Sequence, residues 1–373
     1  MPSLAFEWER HIPFLAWTIF PYWSSDLLYG LSLLLAKSKS ELDTHARRLL
    51  AVQLLSVACF IAFPLRVAFA APPVDGAAGW LFAQLRSFDQ PFNQAPSLHV
   101  SLAVILWDFY RRRLPAWTAG WFVLIALSAW TTYQHQFIDL PMGAWLGVLI
   151  VTAMPAKGPR HTGLAAAYLA GAVLLTTLAF LLQGWAWCLL IAAFPVSLVA
   201  AAYWSGNPHV LGKTNGRLPF WMWPVEFGAR CNAYLWTRNT PPHTEIRDGV
   251  WLGRARRIGE QHAFASVVDL TAELSTQADT VIPVLDLTPP TDADLTRAAE
   301  WIDAAPKPVL VCCALGVSRS AAAVAAWLIA TGRASSVEAA CSEVHQKRPL
   351  TRLNTKARKC LQQWSGGRNE FGP

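Results

Sequence analysis

Long apolar runs fill the first half of the chain, whereas the last third alternates short apolar and polar stretches. A helix needs about 20 mostly apolar residues to cross the hydrocarbon core of a bilayer. The pattern therefore predicts a polytopic α-helical membrane domain, residues 1–205, with six or seven transmembrane helices. The runs that meet or approach the required length are 13–36, 49–71, 98–112, 116–134, 139–155, 163–183 and 185–204.

Residues 243–373 show the pattern of an α/β domain. Short segments typical of strands alternate with longer segments typical of helices, which predicts a mainly parallel sheet with helices on both faces. The segment PVLVCC has the composition of a buried strand, and SRSAAAVAAWLIATG after it predicts a helix that ends at a glycine. The other predicted strands are 250–253, 265–270 and 281–287.

Residues 206–242, between these two parts, are rich in Trp and Arg and are interrupted by Pro. Aromatic and basic side chains are typical of the level of the lipid head groups. We expect a strip that lies at the membrane surface and links the membrane domain to the α/β domain. An ordinary linker with some core aromatics is the alternative.

Composition and charge agree with this division. Hydrophobic residues make up 54% of the chain and charged residues 15%, whereas about a quarter of the residues in soluble domains are charged. The formal net charge is +7, but the basic residues gather in short loops between apolar runs, so we expect no nucleic-acid partner. The seven cysteines are scattered without metal-type spacing. We therefore expect no disulfide framework, no metal site and no cofactor.

The basic residues also predict the orientation in the membrane. Loops rich in Lys and Arg alternate with loops that hold few of them, and the positive-inside rule places the basic loops in the cytoplasm. With seven spans, the N-terminus lies outside and the C-terminal domain lies inside. The basic loops contain Lys37, Lys39, Arg47 and Arg48, then Arg111, Arg112 and Arg113, then Lys157 and Arg160.

Two histidines and an aspartate stand at the ends of apolar runs, all on the side predicted to be non-cytoplasmic. His99 opens the third run, His135 closes the fourth, and Asp139 opens the fifth. Ionisable residues at membrane depth are costly and mark functional sites, although capping of helix ends is the alternative. An imidazole held by a carboxylate is a good nucleophile. We expect His135 to attack phosphorus, Asp139 to orient it, and His99 to protonate the leaving oxygen.

The motif PSLH, followed by Ser128, His135 and Asp139 in an S-x6-H-x3-D arrangement, resembles the type-2 phosphatidic acid phosphatase superfamily. It is most similar to the branch near the inositol-phosphorylceramide and sphingomyelin synthases. The resemblance covers residues 50–155. It implies a phosphohistidine intermediate on the later histidine, with the earlier histidine as the acid.

The chain departs from that pattern where the phosphatases have cations and a glycine. Leu98 replaces the usual glycine, Ala129 replaces the usual arginine, and Arg66 in FPLR is the nearest counterpart of the upstream lysine–arginine motif. Ser97 and Arg66 are the phosphate-binding residues that we expect at this site. With fewer cations, both hydrolysis and transfer of a head group between lipids stay open.

A second constellation lies in VLVCCALGVSRS. Cys313 follows the predicted buried strand and Arg319 begins the next helix, with five residues between them. The amides of the loop, at Gly316, Val317 and Ser318, can converge on a phosphate at the helix N-terminus. The same N-terminus and the arginine lower the pKa of a thiol. A thiolate needs a reducing compartment, which agrees with a cytoplasmic domain.

This spacing between a strand and a helix resembles the signature of protein tyrosine and dual-specificity phosphatases, and residues 243–365 follow the order of that fold. The resemblance implies that Cys313 forms a phosphocysteine and that Arg319 binds the phosphoryl group. It also implies that Ser320 eases departure of the thiolate.

The resemblance further implies a general acid on an upstream loop. Asp286, after the strand-like VIPVL, stands at the matching place, and Asp292 and Asp294 are less favoured substitutes. One position departs from the family: Cys312 stands where a histidine usually precedes the nucleophile. A second thiol there could form a disulfide with the first.

The two constellations predict a bifunctional membrane phosphatase or phosphotransferase that acts on lipid phosphate esters. The combination resembles bacterial proteins that fuse these two domains, which implies the bacterial inner membrane. We expect phospholipids or lipid-linked phosphates as substrates, and a phosphoprotein substrate stays open for the C-terminal site. The alternatives are a lipid head-group transferase with a non-catalytic phosphate-binding sensor, or a protein phosphatase anchored to the membrane.

Overall fold

The computed structural model describes residues 3–88, 94–155, 158–255 and 264–370. The chain divides into two compact units, Met1–Ala156 and Lys157–Pro373. The predicted boundary at residue 205 therefore falls inside the second unit, because the last two apolar helices pack with the segments that follow them. The limits of the membrane domain stay a prediction.

The first unit is built from apolar helices, several of which are short. Lys39–Ala62 is long and apolar enough to cross a membrane, whereas the helices that begin at residues 98, 119 and 139 have only 13 to 15 residues. One further helix lies in a segment expected to be a loop, residues 76–88. The helices are α1 (Ile19–Leu34), α2 (Lys39–Ala62), α3 (Gly76–Phe88), α4 (Leu98–Tyr110), α5 (Ala119–Thr131) and α6 (Asp139–Ala153).

Two glycines let α4 and α6 approach each other closely. A Cβ at Gly143 would lie 2.4 Å from the carbonyl oxygen of Ser97, and a Cβ at Gly147 would lie 2.8 Å from that of Ser101. The Ser101 hydroxyl donates a hydrogen bond to the Gly143 carbonyl at 2.8 Å. These contacts bring the N-terminal ends of the two helices together, and with them the segments that carry His99 and Asp139.

Charged residues gather at the opposite ends of α4 and α6. Arg48 forms an ion pair with Asp108 at 2.8 Å and donates to the carbonyl of Met154. Arg113 forms an ion pair with Glu41 at 2.6 Å. The first two loops predicted to be cytoplasmic therefore meet at one end of this unit, where opposite charges compensate each other.

The second unit begins with an apolar helical hairpin, α7 (Thr162–Leu182) and α8 (Leu189–Ser205). Thr162–Leu182 and Gly184–Ser205 are both long and apolar enough to cross a membrane. Leu181 is 73% exposed and Trp185 is 94% exposed, as expected for side chains that face lipid. With Lys39–Ala62, three such helices occur in the described part of the chain, and the predicted number of six or seven spans stays a prediction.

A five-stranded sheet follows helix α9 (Trp223–Thr237), and its strand order is β1-β2-β5-β3-β4. The pair β1–β2 is antiparallel, and the other pairs are parallel. The predicted α/β fold of the C-terminal domain is confirmed, with β1 as an additional edge strand. The strands are β1 (His243–Arg247), β2 (Val250–Arg254), β3 (Ser266–Thr271), β4 (Thr280–Val284) and β5 (Val309–Cys313).

Strand β5 lies in the middle of the sheet, and every one of its residues is buried. The helix that follows it carries Trp327, which is fully buried in the main core cluster. A central parallel strand is covered on both faces, which explains its continuous apolar sequence. The helices of this domain are α10 (Asp292–Ala304), α11 (Arg319–Ala330), α12 (Val337–Lys347) and α13 (Thr355–Glu370).

The segment between α8 and α9 is bound into the α/β domain by a buried ion pair. Lys213 Nζ lies 2.5 Å from Asp269 Oδ2 on β3 and also donates to the carbonyl and hydroxyl oxygens of Thr271. The Lys213 side chain is 2% exposed. A buried ammonium needs such partners because it has lost its water. Residues before 243 therefore complete the α/β unit.

This ion pair generates a prediction about stability. Replacing Lys213 by Met leaves the Asp269 carboxylate buried without its cation, which costs about 3–5 kcal/mol. We expect a lower urea midpoint for unfolding in detergent, followed by tryptophan fluorescence. The double variant Lys213→Met/Asp269→Asn removes both charges and is expected to recover most of the loss. Lys347→Met, at an exposed position, serves as the control; equal midpoints for the two single variants would contradict the prediction.

Candidate active site

The loop between β5 and α11 has the geometry of a phosphate cradle. It begins at Cys313, the last residue of β5, and ends where Arg319 starts α11. Gly316 has φ +67°, and a Cβ there would lie 2.4 Å from the carbonyl carbon of Gly253. Only glycine fits this left-handed, closely packed position. The loop therefore packs tightly against the end of β2 and leads into the N-terminus of α11.

Cys313 is buried, and hydrogen bonds reach its sulfur from the loop. Sγ lies 3.2 Å from the hydroxyl of Ser320, and the amides of Val317 and Ser320 donate to it. Burial alone would raise the pKa of the Cys313 thiol, but the Arg319 guanidinium and these hydrogen bonds outweigh burial and hold the pKa below its ordinary value. The surroundings of Cys313 therefore favour the thiolate over the thiol.

Two carboxylates hold Arg319. Its Nη1 and Nη2 lie 2.9 and 2.6 Å from the two oxygens of Glu273, in a bidentate pair, and Nη2 lies 3.0 Å from Asp286 Oδ1. Nη1 also donates to the carbonyl of Val284 at 2.8 Å. Although burial would raise the pKa of Glu273, the guanidinium holds it below the ordinary value. These contacts thus fix the guanidinium of Arg319 beside the loop.

Glu273 is a site residue that was not predicted from the sequence. It lies two residues after the end of β3, in TAELST. Since β3 pairs with β5 in a parallel register, its carboxyl end lies beside the loop that follows β5. An acidic residue directly after the strand that neighbours the Cys313 strand is the signal that could have indicated it.

The structure brings Asp286 to Arg319, in the place expected for the general acid. Its side chain is 41% exposed, so it can reach a substrate in the cradle. Asp294 instead belongs to the capping box of α10, in which its carboxylate accepts a hydrogen bond from the Thr291 amide at 3.0 Å, and Asp292 lies in the first turn of the same helix. The roles of Asp286 and Ser320 as acid and hydroxyl donor stay predictions.

Cys312 and Cys313 face opposite sides of the sheet. Cys312 packs in a cluster with Val267 and Leu310, whereas Cys313 belongs to the main core cluster. This follows from the alternation of side chains along a strand, and it separates the two thiols that the sequence analysis considered as a disulfide. Burial and the carboxylate of Asp269 raise the pKa of Cys312, so this thiol stays protonated.

The residues predicted to bind phosphate have different surroundings. The amide of Val317 points to the Cys313 sulfur, and Ser318 precedes the first residue of α11 without a side-chain cap. In the first unit, the Ser97 hydroxyl caps α4 by accepting the amide of Val100. Arg66 is exposed, and its carbonyl accepts a hydrogen bond from the Gln136 side chain.

The structure brings His135 and Asp139 together in the first unit. His135 Nδ1 lies 3.5 Å from Asp139 Oδ2, and both side chains are buried. His99 stacks on Tyr22 with ring centroids 3.8 Å apart, and its ring lies 3.3 Å from the hydroxyl of Ser25. His135 Nδ1 and Asp139 Oδ1 have no hydrogen-bond partner among the described residues.

The electrostatics of the cradle predict the reactivity of Cys313. Because Arg319 and the hydrogen bonds hold the pKa of the Cys313 thiol below its ordinary value, the thiolate should form at lower pH than in a free cysteine. Alkylation of the Cys313 peptide by iodoacetamide, followed by mass spectrometry across pH, measures this. We expect Arg319→Met to move the midpoint to higher pH, because burial then dominates. Arg352→Met, which removes an exposed arginine, should leave it in place; a shift in both variants would argue against a specific effect of Arg319.

Similarity to known proteins is found in about the last third of the chain. The family model described as "Dual specificity phosphatase, catalytic domain" matches residues 250–366. No curated protein matches the chain.

Among solved structures, Tk-PTP in its active form is 22% identical over 34% of this chain and 97% of its own, with a TM-score of 0.28. Human DUSP28 is 25% identical over 34% and 95% of the two chains, with a TM-score of 0.30. PTPMT1 in complex with PI(5)P is 20% identical over 34% and 96%, with a TM-score of 0.28. The predicted enzyme class is confirmed: residues 250–366 carry the catalytic domain of a phosphoric monoester hydrolase of the protein tyrosine phosphatase superfamily.

Proposed function

We propose that the chain is a membrane-anchored phosphatase that hydrolyses phosphate monoesters of lipids at the cytoplasmic surface of a bacterial inner membrane. The Cys313 thiolate attacks phosphorus and forms an S–P bond while the P–O bond to the leaving group breaks. Asp286 gives its proton to that leaving oxygen. Water then attacks the phosphocysteine and returns a proton to Asp286, and the hydrogen bond from Ser320 stabilises the departing thiolate.

Arg319 and the loop amides hold the phosphoryl oxygens during both steps. The planar guanidinium can pair with two oxygens at once. The amides at the start of α11 add further donors and the positive end of the helix dipole. These groups stabilise the negative charge that the phosphoryl group carries in both steps.

One observation carries the assignment of a lipid substrate: the hydroxyl of Tyr203 donates a hydrogen bond to the backbone carbonyl of Asp286 at 2.9 Å. Tyr203 lies two residues before the end of α8, which is part of the apolar segment Gly184–Ser205. An acid loop that contacts the end of a membrane-crossing helix lies at the level of the head groups. A phosphate on a lipid head group reaches such a site directly.

Exposed aromatic side chains on and before α9 support the same orientation. Phe220, Phe227 and Trp236 are 82%, 63% and 73% exposed, which suits burial among lipid head groups. The other side of α9 faces the domain, where Glu226 accepts hydrogen bonds from the amide and hydroxyl of Ser275. The segment thus resembles the interfacial strip predicted for residues 206–242.

The substrate assignment is tested with the full chain in phosphatidylcholine vesicles. We expect phosphate release from phosphatidic acid in these vesicles to be at least about tenfold faster, as kcat/KM, than release from a soluble phosphotyrosine peptide, because only the lipid is concentrated at the site. Because the histidine site could also release phosphate from a lipid, the variants are made in a His135→Ala background, where Cys313→Ser should abolish both activities and Cys231→Ser, at an exposed position of α9, should abolish neither. Faster turnover of the peptide would favour a membrane-anchored protein phosphatase. In that background, an equal rate of phosphate release with and without Cys313→Ser would support the non-catalytic sensor.

A second catalytic site in the first unit is favoured by the buried pair of His135 and Asp139. Orphaned polar atoms at both members of a buried pair are costly unless a ligand or proton transfer uses them. We propose that His135 forms a phosphohistidine and that His99 protonates the leaving oxygen, for hydrolysis of a lipid phosphate or transfer of its head group. The cationic loops lie at the other ends of α4 and α6, which supports a non-cytoplasmic location for the histidines.

Substitutions at the two sites are predicted to abolish different activities. His135→Ala should remove the outer-face lipid reaction, by at least about a hundredfold as for loss of a nucleophile or general acid, and leave phosphate release at Cys313 unchanged. The measurement is mass spectrometry of lipids from membranes that contain each variant, with Cys313→Ser as the reciprocal case and His11→Ala, at an exposed position, as the control. Lipid profiles that are identical in His135→Ala and the unmodified chain would refute the proposed histidine site.

A further inference from the structure

We infer that Tyr203, on the apolar helix α8, is a positioning residue for the general acid, because its hydroxyl holds the loop that carries Asp286. The inference rests on the proposed role of Asp286 as the acid, but it does not depend on whether the substrate is a lipid. Helix α8 would then help to position the general acid, in addition to its proposed role as a membrane-spanning helix.

Tyr203 is held in place. Its side chain is 3% exposed, and its ring stacks on Tyr168 of α7, with centroids 5.5 Å apart and an interplanar angle of 16°. Two helices therefore fix the position of the hydroxyl. From this position Oη donates to the carbonyl of Asp286 at 2.9 Å, within ordinary hydrogen-bond distance.

The acid loop needs such an anchor. Leu287, directly after Asp286, adopts φ +58°, a left-handed conformation that a leucine seldom takes. Its side chain is 73% exposed, so packing of Leu287 contributes little to holding that conformation. The Tyr203 hydrogen bond acts on the peptide group between Asp286 and Leu287, and it thereby fixes the direction in which the acid side chain leaves the loop.

The bond to Tyr203 gains importance when substrate is bound. The Asp286 carboxylate lies 3.0 Å from Arg319 Nη2. A phosphoryl group bound to Arg319 competes for that guanidinium, and Asp286 must carry a proton to act as the acid, which weakens its attraction to Arg319. The Tyr203 contact involves the backbone carbonyl and is independent of both changes. It is therefore the contact that continues to hold the acid over the leaving oxygen.

The test separates positioning of the acid from a merely structural role. Tyr203→Phe removes the hydroxyl and keeps the ring that stacks on Tyr168. The full chain in detergent is assayed with p-nitrophenyl phosphate, whose leaving group departs without a proton, and with phenyl phosphate, whose leaving group has the pKa of about 10 of a tyrosine side chain and needs one. We expect kcat for phenyl phosphate to fall about tenfold and kcat for p-nitrophenyl phosphate to change less than about twofold.

Asp286→Asn is the reference and Tyr234→Phe, which removes a hydroxyl from α9, is the matched control. Asp286→Asn should show the same selectivity for the poor leaving group, with a larger loss. Equal losses for both substrates in Tyr203→Phe would mean a structural role and overturn the inference. Wild-type kinetics in Tyr203→Phe, beside a selective loss in Asp286→Asn, would overturn it as well. An Asp286→Asn enzyme without selectivity would refute Asp286 as the acid and the inference with it.

Discussion

The C-terminal site depends on how the buried charge of Arg319 is compensated. A guanidinium that is 3% exposed has lost nearly all of its water, and its partners must replace that solvation. Among the described residues, Glu273 and Asp286 supply the carboxylates, from the loops after β3 and β4. The two carboxylates differ in exposure, at 13% and 41%. The enclosed Glu273 is suited to hold the arginine permanently, whereas the more accessible Asp286 can give way to a phosphoryl group and act on it.

The loops that carry these carboxylates depend in turn on the segments next to the apolar hairpin. Lys213 neutralises Asp269 at the end of β3, and Arg230 of α9 donates to the carbonyl of Ser275 at 2.7 Å. The amide of Thr276 donates to the carbonyl of Gly216 at 2.7 Å. Asp269, Ser275 and Thr276, the partners on the domain side, all lie within four residues of Glu273 in the chain. The α/β unit is therefore completed by residues before its first strand, which is the physical reason why the compact unit begins at residue 157 and not at residue 243.

The sequence indicated those features that are local in the chain. The Cys313 loop, Arg319 and Ser320 are contiguous in the chain, so the motif could be recognised directly. The unbroken apolar run of β5 likewise indicates a buried strand. Glu273 could not be identified in the same way, because only the parallel register of β3 and β5 brings its loop beside Cys313. Lys213 was missed for a related reason: a polar contact across 56 residues leaves no periodic pattern. Apolar periodicity also failed to indicate α3, whose Gly and Ala residues resemble those of a loop.

The pair Cys312–Cys313 shows how a strand can give opposite properties to two neighbouring thiols. Alternation of side chains places Cys313 toward Arg319 and the loop amides, which stabilise a thiolate. Cys312 faces the other side, where burial and the negative charge of Asp269 stabilise the thiol. The histidine that usually precedes the nucleophile in this superfamily would occupy that second face. Since the amides of Val317 and Ser320, the Ser320 hydroxyl and Arg319 all reach Sγ or its surroundings from the loop side, the stabilisation of the Cys313 thiolate does not require a histidine at position 312.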